Sequence, residues 1–132
     1  MKTLNSNSDL AAAKDGSAEQ RIPTAWRATL RAIVSAFVKG DYGLEAGVPG
    51  VEAITPATAL HIQDSVRAYG ATLVELPDAT WESSVCMWYE PHWDALVELW
   101  TQDEGRSDLA LSVRVTEADN GFRFTVHMVY VP

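Results

Sequence analysis

Apolar and polar residues alternate most regularly towards the end of the chain. Leu109, Leu111, Val113 and Val115 alternate with Asp108, Ala110, Ser112 and Arg114. Phe122, Phe124, Val126, Met128 and Tyr130 then alternate with Arg123, Thr125, His127 and Val129. A period of two over this length predicts two half-buried strands. Between them stands Asn120-Gly121. This pair suits a two-residue type I′ loop, because both positions need positive φ. Such a loop pairs Val115 with Val126, Val113 with Met128 and Leu111 with Tyr130. A third strand precedes them, with Trp93, Ala95, Val97 and Leu99 on one face and Asp94, Leu96, Glu98 and Trp100 on the other. The polar link 102–107 suits a longer hairpin loop, and Leu99 opposite Leu109 continues the buried face.

The period changes to helical in the first half. Trp26, Leu30, Ile33, Val34, Phe37 and Val38 form one wide apolar stripe, with Pro23 in the first turn and Gly40 as the stop. A glycine-rich connection follows through Gly43, Gly47, Pro49 and Gly50. Thr55-Pro56 opens a second helix as N-cap and first residue, and Gly70 ends it. Its stripe is Ala59, Leu60, Val66 and Tyr69, with Ile62 off it. Residues 71–76 read as a short strand ended by Pro77-Asp78, and Ser84 to Glu90 as another ended by Pro91.

These elements predict an α+β fold. Two N-terminal helices pack on one face of a curved antiparallel meander of four to five strands. Residues 1–21 have little apolar content and read as a mobile tail, leaving 22–132 as one α+β domain. Leu10-Ala-Ala-Ala-Lys14 stands out in that tail as a transient helical turn.

Charge narrows the partners. The net charge is −8, and the eight acids between Arg67 and Arg106 face no Lys or Arg there. That argues against phosphate-backbone binding, so no nucleic acid partner is expected. It suits a basic protein partner or simple solubility. With no run of eighteen apolar residues, no membrane span is expected. The lone Cys86 sits in an apolar stretch, which suits a buried thiol and a reducing cytoplasm.

Two resemblances follow from these residues. A helix ending in Lys39-Gly40-Asp41-Tyr42, a second helix and a meander ending in Phe122 to Val131 resemble the nuclear transport factor 2-like superfamily. That likeness implies a cone-shaped sheet, a pocket within the cone and frequent dimers. The chain lacks that family's third helix. The segment Gly105 to Leu111 and the Lys39–Tyr42 corner also resemble small uncharacterised bacterial proteins classed only as domains of unknown function. That second likeness implies no activity.

The chemistry-bearing residues are few. His61 and Asp64 share a helix face without a third ligand, so no metal site and no cofactor is expected. His92, in a loop among aromatic residues, and Asp108, two residues after Arg106, are polar candidates for a ligand pocket. The apolar lining of that pocket, between the first helix and the sheet, is Trp26, Phe37 and Trp93. No catalytic constellation is present.

The outer sheet face is too apolar for a comfortable solvated surface, with Leu96 and Val129 beside His127. Of the five tryptophans, Trp88 and Trp100 are expected on this face as interface anchors. The leading expectation is a non-enzymatic, cytoplasmic, bacterial protein-binding domain, of the kind that inhibits a basic toxin. A small-molecule-binding protein or enzyme is the alternative. A structural homodimer through the outer face is the third.

Overall fold

The computed structural model describes residues 10–132. Five antiparallel strands lie in the order β1-β2-β3-β4-β5: Gln20–Arg21, Val85–Tyr89, His92–Thr101, Gly105–Ala118 and Gly121–Tyr130. The two helices are α1, Thr24–Val38, and α2, Pro56–Tyr69. The sheet is open, with β1 and β5 at its two edges. The class is α+β, as the periodicities require.

Both helices bury their apolar residues against one face. Trp26, Leu30, Ile33, Val34 and Phe37 of α1 join Ile62 and Val66 of α2 in one core with Ala95, Val97, Leu111, Val113 and Val126. Gly40, at φ +87, lets the chain leave α1, and Asp41 donates its amide back to Ala36. Thr55 caps α2 by accepting from the Thr58 amide at 3.2 Å, and Pro56 follows as expected. A short 3-10 turn at Asp78–Glu82 leads into β2.

The structure corrects several expectations. In α2 the buried residues are Ile62 and Val66, while Leu60 is exposed. Ile62 and Val66 are one turn apart, so they can share the stripe that meets the core. Val38, at the last turn of α1, is also exposed. Residues 71–76 are not a strand. They make a single bridge, Leu73 to Thr101, with Val74 and Gln102 donating across it. Leu73 and Leu76 are the buried pair there, and a spacing of three does not fit a strand.

The last hairpin turns one residue early. Ala118 pairs with Gly121, so Asp119-Asn120 form the loop and Val115 faces Phe124. Val113 faces Val126, and then Ser112 faces Met128, which leaves His127 as an extra residue in a β-bulge. Beyond the bulge the faces exchange. Val129, expected on the outer face, is fully buried in the core. A second irregularity falls between Glu98 and Trp100, so Trp100 faces Arg106 and no ladder pair joins Leu99 to Leu109.

The outer-face tryptophan pair does not form. Trp88 pairs with Trp93 and their rings approach to 4.6 Å on the helix side. Trp100 is half-buried against the core with its indole nitrogen enclosed.

Residue 21 is not the end of a loose tail. Gln20–Arg21 pair with Cys86 and Val85, and residues before them cross the β2–β3 hairpin as a strap. Leu10 and Thr24 exchange two hydrogen bonds, of 2.9 and 3.1 Å. The Gln20 side-chain amide pairs with both backbone groups of Ala13. Gly16 passes so close to the Trp88 carbonyl that a Cβ would sit 3.0 Å from it. Residues 1–9 of the expected tail lie outside the described residues.

Candidate functional site

The strap and the first turn of α1 form two walls of a groove of about 490 Å³. Leu10, Ala11 and Ala12 line one side, and Pro23, Thr24 and Ala25 the other. Its floor is Trp93 and Phe122, whose rings meet edge to face at 6.0 Å. Trp26 stands behind both, at 5.5 Å from Trp93 and 5.6 Å from Phe122. The floor is therefore a block of interlocked rings, which holds its shape when the groove is empty.

One ion pair marks the mouth. Lys14 Nζ lies 2.7 Å from Glu117 Oε1 and 5.6 Å from the Trp88 ring. The hydrogen bond to Glu117, reinforced by its charge, raises the Lys14 pKa. Both side chains are about half exposed, so this pair orients the strap more than it stabilises it.

A second recess, of about 590 Å³, opens at the far end of the sheet, where Leu96, Glu98, Arg106, Asp108 and Val131 converge. Glu98 is held there by two side chains. The Ser83 hydroxyl donates to its carboxylate, and Arg106 Nε lies 3.9 Å away. The Asp108 amide donates to the Tyr69 hydroxyl, which itself donates to Glu104 at 2.7 Å. Asp108 is exposed and well away from the ring block, so it does not reach into a pocket with Trp26.

The five residues expected to share a ligand pocket are thus dispersed. Trp93 alone lines the groove. Trp26 is completely buried behind it. Phe37 lies eleven residues further along α1 and stacks on Tyr42 at 5.6 Å. His92 belongs to β3, beside Trp93, and strand alternation turns it to the opposite face. There its Nε2 lies 3.3 Å from Asp94 Oδ1. Of the residues expected at an interface, Leu96 is half-buried on the outer face, and His127 is exposed in the bulge of β5. The groove walls were missed because residues 10–14 look like a tail. The signal available was the apolar run Leu10 to Ala13 in otherwise polar sequence.

Among the described residues no group of three or more His, Cys, Asp or Glu side chains is placed to hold a metal ion. No helix among them is long and apolar enough to cross a membrane. Burial pushes the Cys86 thiol up to about 11.

A family model described as a domain of unknown function (DUF7668) matches residues 34–132. The matched span begins inside α1. Leu10–Ala12 and Pro23–Ala25 therefore precede it, whereas Trp93, Glu117 and Phe122 lie within it. No curated protein and no solved structure matches the chain.

Proposed function

As the chain belongs to this family of unknown function, we propose a reading from its own geometry: it binds a small, largely apolar molecule in the groove between strap and α1. The observation that carries this is the groove itself. Its volume of about 490 Å³ falls within the ~300–1,000 Å³ range of small-molecule sites. Its floor is aromatic and its walls are mostly alanine, leucine and proline, as a ligand with a flat or branched apolar body requires. Among the described residues Lys14 is the one cationic side chain on its lining, and an anionic end would meet it by displacing Glu117, the lining carboxylate that pairs with it at 2.7 Å.

Titration with 1-anilinonaphthalene-8-sulfonate, an apolar probe with one anionic group, tests the reading. Saturable one-site binding is expected, with quenching of tryptophan emission. Ala25→Trp places a large ring into the groove from an exposed position of α1 and is expected to weaken binding at least about tenfold with the fold intact. No saturable binding by the wild type, or equal binding by Ala25→Trp, rejects it. A second reading, macromolecular contact, is favoured by the uncovered outer face of the sheet.

A further inference from the structure

The register of the four long strands arranges that outer face in rows. One row runs Met87, Asp94, Arg114, Thr125 across β2, β3, β4 and β5. The next runs Val85, Leu96, Ser112, Met128. The residues alternating with these rows, including Cys86, Ala95, Val113 and Val126, are buried under the helices. The rows therefore point away from both helices, and Glu19, next to β1, reaches their β2 edge. Between them lies a shallow recess of about 220 Å³, shared by Val85, Met87, Leu96 and Tyr130.

We propose that a second copy of this chain covers this face, sheet against sheet, about a two-fold axis parallel to the strands and midway between β3 and β4. Such an axis reverses the strand order and preserves the rows. Strand β3 then lies over β4 of the other copy, and β2 over β5. Asp94 meets Arg114 of the other copy, twice by symmetry. Leu96 meets Ser112, and Val85 meets Met128. Every close charge pair in these rows is of opposite sign; Val85 and Met128 meet as an apolar pair, and Leu96 and Met87 cover the small side chains of Ser112 and Thr125. A two-fold axis across the strands instead brings Asp94 onto Glu98, so the charges select between the two orientations.

On a single chain Asp94 meets His92 Nε2 at 3.3 Å, whereas the Arg114 charge is only loosely satisfied. Arg114 Nε lies 3.9 Å from Asp94, which leaves the guanidinium donors for another carboxylate. The face carries both signs, with Asp94 and Glu98 against Arg106 and Arg114. This fits self-association better than a uniformly basic partner. Face-to-face packing of two twisted sheets with nearly aligned strands is also the common way to bury such a surface. All eight residues of the two rows lie within the family match, unlike the groove walls.

Sedimentation equilibrium of the full chain tests this. The wild type is expected at twice its 14.5 kDa mass. Asp94→Arg and Arg114→Asp are each expected to be monomeric, because each sets two like-charged contacts across the axis. Mixing the two variants is expected to restore a dimer. The introduced arginine of one then meets the introduced aspartate of the other at one contact, and the native Arg114 and Asp94 meet at its mate. The unfavourable pair within each chain persists in that mixture, so its rescue reports the contact between chains alone. A monomeric wild type, single variants that still dimerise, or a mixture that stays monomeric overturns the proposal. Circular dichroism of each variant confirms that it is folded before mixing.

Discussion

The Trp93 indole nitrogen donates to the Ala13 carbonyl at 2.8 Å, across a separation of 80 residues. One hydrogen bond therefore ties the strap to the ring block that floors the groove. Trp93→Phe keeps an aromatic ring and removes the donor. The expected cost of the lost bond is about 1 kcal/mol, the net value of one such interaction. Limited proteolysis should show the cost locally, as faster cleavage between Lys14 and Arg21 with the helices still protected.

Thr80 and Ser84 extend the sheet where β2 stops. The Thr80 hydroxyl donates to the Glu98 carbonyl at 2.7 Å, and the Ser84 hydroxyl accepts from the Glu98 amide at 2.9 Å. Two side chains thus satisfy backbone groups that a neighbouring strand would otherwise pair. Thr80 is fully buried. Thr80→Val preserves its shape and leaves that carbonyl without this donor. Urea denaturation is expected to show a loss of about 1–3 kcal/mol.

The N-cap of α2 is a separate test of local stability. Thr55→Ala removes the side-chain acceptor from the Thr58 amide. The expected loss is about 1 kcal/mol, with an unchanged denaturant slope. A loss below about 0.3 kcal/mol would mean that water replaces the cap there.

Cys86 makes stability fall in alkali. Burial raises its thiol from 9.0 to about 11, so the folded chain holds the proton that the unfolded chain releases. This contribution is complete below pH 9 and is lost as pH rises through 11. Its size, discounted for residual screening by solvent, is on the order of 2 kcal/mol. Cys86→Ala is expected to flatten the decline between pH 9 and 11 relative to the wild type. The same burial predicts slow alkylation of the native protein at neutral pH.

Local sequence determined the elements whose signals are themselves local. The stripe from Trp26 to Phe37, the Thr55-Pro56 start, the Gly40 and Gly70 stops and the alternation in β3 all depend on residues within a few positions of one another. Helix and strand periods follow from backbone geometry, so those residues carry their own evidence.

Tertiary structure decided what depends on distant partners. The bulge at His127 reverses the alternation, and only the register against β4 shows that Val129 is buried. Trp88 faces inward because it pairs with Trp93. Leu10 to Ala13 resemble a tail until Trp93 and Gln20 supply the hydrogen bonds that hold them down. The groove arises from that strap, and the rows of the outer face arise from four strands in register. Neither has a signature within one segment, because each is assembled from residues brought together only when the sheet closes on the helices.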